Sequence, residues 1–217
     1  MNRLLAFVAA AIIAGLATAA GPALAHPHVW VTMKSQVIYA ADGTVTGVRH
    51  AWTFDDMFSA FAVQGIDTKK RGEFSREELA PLAKTNVESL KDFDYFTLAK
   101  ANGKKVEFAD PASDYYLEYK DAILTLHFTL PLKMPAKAQQ LDIEVFDSSY
   151  FVEFVFEQKN AVALVGAPPA CKLAVLNPTQ MDPAMMQRLL DMGANEKLDP
   201  SQLLGSQFAN KILVKCP

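Results

Sequence analysis

From residue 28 to residue 54, and again from residue 95 to residue 156, the chain runs in short strand-like stretches broken by turn residues, a rhythm that points to a fold built from β-hairpins. Residues 28–39 are rich in Val, Trp and Ile, with Val29, Val31, Met33, Val37 and Tyr39 on one face at period two. Asp42-Gly43 is a dipeptide that favours two-residue hairpin loops, so residues 44–54 form the returning strand. Residues 95–99 and 105–109 flank Asn102-Gly103; residues 113–119 and 122–130 flank Lys120-Asp121. Residues 141–146 and 151–156, joined through Asp147-Ser148-Ser149-Tyr150, predict a fourth hairpin, and residues 171–176 and 212–215 are further strands.

Helical signals are few. Asp55 caps a segment with apolar residues at helical spacing, Met57, Phe58, Phe61 and Ala62. Ser75 and Glu78 form a capping box ahead of a helix to about Leu90, and residues 183–192 read as one more helix. The expected fold is mainly β (α+β): an antiparallel β-sandwich of hairpins with a two-helix insertion at about 55–91 and a C-terminal helix.

Residues 1–25 have the three parts of a secretory signal peptide. Arg3 is the only charge, an apolar run follows to about Ala20, and Ala23-Leu24-Ala25 offers small residues at the cleavage site. A transmembrane anchor is the competing reading, but the run is short and diluted by Ala, Gly and Thr. The mature chain, residues 26–217, is then expected as a single periplasmic domain without membrane insertion. Loss of Arg3 takes the formal net charge from −3 to −4, and an acidic chain without basic runs is a poor partner for nucleic acid. The two cysteines, Cys171 and Cys216, are most simply one disulfide in an exported protein, tying the segment 171–216. A metal-binding or catalytic cysteine pair is the alternative.

Cleavage after Ala25 leaves His26-Pro27-His28 as the N-terminus. The α-amine and imidazole of His26 can chelate one ion, and Pro27 holds the chain extended toward His28. Nitrogen ligands of this kind suit Zn, Ni, Co and Cu. A square-planar amino-terminal chelate is excluded, because Pro27 has no amide hydrogen. With Asp42-Gly43 as the turn, Tyr39 faces Thr46, Ser35 faces His50, and Asp55 lies opposite Trp30 on the His28 face. His50 is roughly 23 Å from His28 along the strand and on the other face. The candidate ligands are therefore His26, His28 and Asp55, with Asp56 as substitute if a bulge shifts the register. Asp147 is a further carboxylate at a strand end, in a context equally typical of a turn.

The stretch from Asp67 to Glu78 has the skeleton of a calcium loop: Asp67 first, Gly72 sixth, Phe74 eighth and Glu78 twelfth. Its third and fifth positions are Lys69 and Arg71, cations where oxygen donors belong. Calcium is not expected there. His127 reads as a sheet histidine, and Tyr150, Phe151, Phe154 and Phe156 as core aromatics.

Several of these stretches occur together in a known order. His26 to Val31, Trp52 to Ser59, the Asp67–Gly72–Glu78 loop, Asp94-Tyr95-Phe96-Thr97 and Asp147 to Phe151 resemble the bacterial periplasmic family named domain of unknown function 1007. The resemblance covers most of the mature chain to about Cys171. It implies a transport-system component that accompanies, or is fused to, nickel/cobalt-type inner-membrane permeases. It also marks His26, His28, Asp55 and Asp147 as positions of interest; the cations at Lys69 and Arg71 depart from the family's more acidic loop. The expected function is non-enzymatic: binding Zn, Ni or Co, with Cu ranking behind, in partnership with an inner-membrane metal permease. Two other classes compete. One is a copper-dependent redox enzyme using the N-terminal chelate; the other is a metal-free module docking on a transporter.

Overall fold

The computed structural model describes residues 28–178 and 209–217, together with Ala184. The signal-like segment, His26 and nearly all of the helix expected over 183–192 lie outside the described residues. Two sheets pack face to face. The first has the order β5 (Tyr116–Lys120), β6 (Ile123–Ala136), β2 (Val45–Phe54), β1 (Val29–Tyr39), β8 (Val152–Phe156), with β9 (Val162–Val165) also paired to β1; the second has the order β10 (Lys172–Leu176), β11 (Asn210–Lys215), β7 (Gln140–Val145), β3 (Thr97–Ala101), β4 (Lys104–Val106).

The first hairpin, β1 (Val29–Tyr39) and β2 (Val45–Phe54), forms as its alternation requires. The inward residues Val29, Val31, Met33, Ser35, Val37 and Tyr39 are buried, and Ser35 pairs with His50. The turn is longer than expected. The Ala40 N–H donates to the Thr44 carbonyl (2.8 Å), Gly43 adopts φ +80°, and a bulge pairs Tyr39 with Val45 instead of Thr46. Gly43 absorbs the left-handed step, and the register returns by Ile38–Gly47.

Asp55 then caps α1 (Asp56–Ala62), its carboxylate accepting from the Phe58 N–H. The expected apolar face of this short helix is only partly covered. Phe58 and Ala62 pack on the core, whereas Met57 and Phe61 are 72% and 71% exposed. The Ser59 hydroxyl donates to the Asp55 carbonyl and accepts from the Leu124 N–H (3.0 Å), which fixes α1 to the sheet. Helix α2 (Arg76–Leu90) carries the capping box of Ser75 and Glu78, and a 3₁₀ segment (Lys91–Phe96) follows it.

The next strands divide between the sheets. β3 (Thr97–Ala101) and β4 (Lys104–Val106) turn through Asn102-Gly103, both left-handed, and enter the second sheet. β5 (Tyr116–Lys120) and β6 (Ile123–Ala136) enter the first; their turn residues with positive φ are Asp121 and Ala122. The expected fourth hairpin does not exist. β7 (Gln140–Val145) belongs to the second sheet, while β8 (Val152–Phe156) crosses to the first and pairs parallel with β1. β9 (Val162–Val165), not foreseen as a strand, continues that parallel pairing. β10 (Lys172–Leu176) and β11 (Asn210–Lys215) are antiparallel neighbours, and the Cys171–Cys216 disulfide closes their ends. In the chain-entropy model, a loop of 45 residues makes that bond worth about 4 kcal/mol.

The core between the sheets holds one ionisable side chain of special interest. His50 is fully buried, with Nδ1 2.9 Å from Ser35 Oγ and Nε2 3.4 Å from Thr97 Oγ1 across the sheet interface. The rings of Trp52 and Phe128 flank it, at centroid distances of 5.5 and 5.3 Å. Among the described residues no helix is long and apolar enough to cross a membrane.

Candidate functional site

The carboxylates selected from the sequence are close to where the register places them, but their oxygens already serve the backbone. Asp55 Oδ1 accepts from the Phe58 N–H (2.8 Å) and Oδ2 from the Trp30 N–H (2.9 Å). It therefore caps α1 and ties the helix to β1 at once. Asp56 Oδ1 accepts from the Met57 N–H. Asp147 is more enclosed, 9% exposed: Oδ1 accepts from the Ser149 N–H (2.8 Å) and hydroxyl (2.7 Å), and Oδ2 from the Val152 N–H (2.9 Å). His28 is exposed at the head of β1, its N–H donating to the Phe151 carbonyl and its ring 4.7 Å from the Phe151 ring. Among the described residues no group of three or more His, Cys, Asp or Glu is placed to hold a metal ion. These residues alone do not fit a complete metal site.

The loop from Asp67 to Glu78 keeps its turn, with Gly72 at φ +80°. Glu78 Oε1 accepts from the Lys69 N–H (2.9 Å) and Oε2 from the Ser75 N–H (2.7 Å). Those backbone hydrogen bonds hold the Glu78 carboxyl below its usual range. Its oxygens thus cap the loop and helix, the work a bidentate carboxylate would otherwise do on calcium. Both donors to the Glu78 carboxylate are backbone amides, of Lys69 and Ser75.

A chamber of about 440 Å³ lies against the inner face of the first sheet. Val29, Val31, Trp52, Phe54 and Phe154 form its floor, and Phe58 of α1 and Leu90 of α2 stand over it. Phe93 and Phe96 also line it, as do Asp147, Ser149 and Phe151 on the crossing between the sheets. The rings support one another: Trp52 and Phe154 centroids are 4.8 Å apart, Phe54 stacks on Phe58 at 4.5 Å, and Phe93 on Phe96 at 5.3 Å. Such a volume and apolar lining are those of small-molecule sites.

The chamber wall includes strained backbone. Asp94, Tyr95 and Phe96 lie consecutively in the left-handed region, at φ 50°, 54° and 49°, with no glycine among them. Non-glycine residues held there cost on the order of 1–3 kcal/mol each, and such strain clusters at ligand clamps. The Tyr95 hydroxyl, 3.3 Å from Asp110 Oδ1, anchors the segment, while Phe96 turns to the chamber.

Sequence reasoning missed this site. Phe151 and Phe154 were expected in the core; Phe154 is buried, but Phe151 is 45% exposed at the chamber. The available signal was the company these aromatics keep. The runs 26–31, 52–59, 94–97 and 147–151, picked out separately for their resemblance, each contribute to this one lining.

A model of the family described as "Protein of unknown function (DUF1007)" matches residues 11–216. The chain is also 30% identical over 103 residues, 47% of its length and 73% of the relative's, to the "Uncharacterized 15.5 kDa protein in trpE 3'region" of Spirochaeta aurantia. Among solved structures, AChBP from Bulinus truncatus aligns over 86% of this chain and 84% of its own, at 6% identity and a TM-score of 0.31. That likeness is too slight to carry any argument.

Proposed function

The chain belongs to the family described as Protein of unknown function (DUF1007), and from the geometry of its chamber we propose a non-enzymatic binding protein that holds a small apolar molecule between its first sheet and its helices. One observation supports this above others: four separated stretches of chain converge to surround about 440 Å³ with seven aromatic rings. The lining residues among those described include no histidine, cysteine, lysine or arginine, so binding accounts for the chamber better than acid–base or nucleophilic chemistry. The test is titration with phenylnaphthylamine, an uncharged probe that fluoresces in apolar sites. A single saturable site is expected, weakened at least about tenfold by Ser89→Phe, which places a ring at the chamber wall from the exposed side of α2. Absence of saturable binding in a folded wild-type protein would sink the reading.

A second reading keeps the transition metal. His28 is exposed at the head of β1, and Asp55, which follows β2 and caps α1, accepts from the Trp30 N–H; that neighbourhood supports an exposed chelate completed by His26. In this reading the protein works outside the cytoplasm with an inner-membrane metal permease and binds Zn, Ni or Co. Calorimetry on chain beginning at His26 should show one-to-one binding that one extra N-terminal residue weakens. Binding should also weaken below about pH 6, as imidazole and amine ligands take up protons. No heat from Zn, Ni, Co or Cu in either form removes the metal from the account.

A further inference from the structure

Five rings among the described lining residues keep accessible surface. Phe54, Phe58 and Phe96 are partly buried, and Phe93 and Phe151 are 48% and 45% exposed. The face of an aromatic ring is negative, so such a lining draws cations as well as hydrocarbon. The charged groups point the same way. Asp147 belongs to the lining and is 9% exposed, yet its partners are the Ser149 N–H and hydroxyl and the Val152 N–H, none of them a cation. A carboxylate so enclosed is ordinarily paired with positive charge. Asp55 and Asp56 stand immediately before Met57 and Phe58, and Asp92 and Asp94 flank Phe93. Lys91, from the same 3₁₀ segment, is engaged by Asp110 at 2.8 Å. His28, its ring 4.7 Å from that of Phe151, adds positive charge only when protonated.

Resting on the binding reading above, we propose that the molecule held in the chamber is a hydrophobic organic cation, an apolar body carrying a substituted ammonium, iminium or pyridinium charge. An anion would be enclosed beside Asp147 without a counter-charge from the described lining. A metal ion would have to take the Asp147 oxygens from the amides and hydroxyl that already bond them. An organic cation need not. Its charge is spread over carbon and weakly hydrated, so it can rest against ring faces and be attracted by the carboxylate without touching an oxygen. A primary ammonium brings three N–H donors to a lining that is mostly hydrocarbon and would leave them short of acceptors. The favoured class is therefore one whose charged nitrogen bears few or no hydrogens.

Displacement of phenylnaphthylamine at pH 8 tests the charge, with two probes of one shape: 1-methyl-4-phenylpyridinium and its uncharged carbon isostere, 4-methylbiphenyl. The cation surrenders far more hydration, so a merely apolar chamber prefers the isostere. Here the cation should displace the dye at an equal or lower concentration. Asp147→Asn keeps an acceptor oxygen for the crossing, and Phe58→Leu keeps an apolar side chain on α1. Each should weaken the cation about fivefold more than the isostere. That ratio reads charge and ring face, whereas loosened packing affects both probes alike. A wild type that prefers the isostere, or variants that weaken both probes equally, would overturn the proposal while the chamber reading stands. If phenylnaphthylamine itself does not bind, the chamber reading falls and this inference with it.

Discussion

Between pH 6.5 and pH 4.5 the protein should lose roughly 3 kcal/mol of stability, most of it through His50. Complete burial pushes this imidazole from 6.5 down to about 3. Among the described residues its neighbours are Ser35 and Thr97, which offer hydroxyls, and the rings of Trp52 and Phe128; none of these is a carboxylate that would stabilise the protonated form. The unfolded chain takes up a proton as pH falls below 6.5, whereas the folded chain resists until about 3. The neutral histidine's contribution is therefore complete above 6.5 and is lost progressively toward pH 3, at about 1.4 kcal/mol per pH unit.

The window matters because other groups act below it. Asp42, Glu78, Glu107 and Asp110 are all held below their usual values by hydrogen bonds, and their contributions fade only near and below pH 4. His127 acts in the same window with the same sign. Burial lowers it, but Glu118, 3.4 Å away, opposes the shift, so its share is smaller. Urea midpoints from pH 8 to pH 4.5 should give His50→Gln a slope lower by about one proton, whatever the variant's stability at neutral pH. His127→Gln should change the slope less. A wild type equally stable at pH 7 and pH 5 would mean that His50 charges freely within the fold.

Much of the fold was legible because its signals are local. The alternation in β1 fixes which residues face inward. Ser75 and Glu78 announce a helix three residues apart, and Asn102-Gly103 closes a hairpin by its own backbone preference. The register of Ser35 on His50 survived an error in the turn, because the bulge at Tyr39 is cancelled at Gly47. What alternation does not encode is the sheet a strand joins. Residues 141–146 and 151–156 read as a hairpin because the segment between them contains turn residues. Those residues instead bridge the two sheets, and β8 finds a parallel partner more than a hundred residues back in the sequence.

The site was less legible, for two physical reasons. Carboxylates that ligate a metal and carboxylates that cap a helix or turn have the same identity, so sequence presents Asp55, Asp147 and Glu78 alike in both roles. The chamber, conversely, is made of residues whose ordinary place is the core. Trp52, Phe96 and Phe154 have no spacing that separates lining a void from filling one, and a left-handed run at Asp94-Tyr95-Phe96 has no glycine to betray it. Only the gathering of separate aromatic stretches on one side of the first sheet distinguishes them.

Asp147→Ala separates the two roles of a carboxylate most sharply. In protein kept in chelator, the substitution should cost about 3 kcal/mol, measured as a fall in urea midpoint at unchanged slope. The carboxylate accepts three hydrogen bonds inside the crossing from β7 to β8: the Ser149 N–H and hydroxyl on Oδ1, and the Val152 N–H on Oδ2. Alanine leaves the two amides without this acceptor in a site that is 9% exposed, each at a cost of about 1–3 kcal/mol. The same turn places Phe151, whose carbonyl accepts from the His28 N–H, so the loosened crossing should also weaken phenylnaphthylamine binding. Asp147→Asn keeps one acceptor oxygen and should lose less. A metal ligand would behave in the opposite way: with the ion removed, its mutual repulsion with other ligands is relieved, and the metal-free protein holds or gains stability. Unchanged stability of Asp147→Ala in chelator, together with lost metal affinity, would return Asp147 to the metal site.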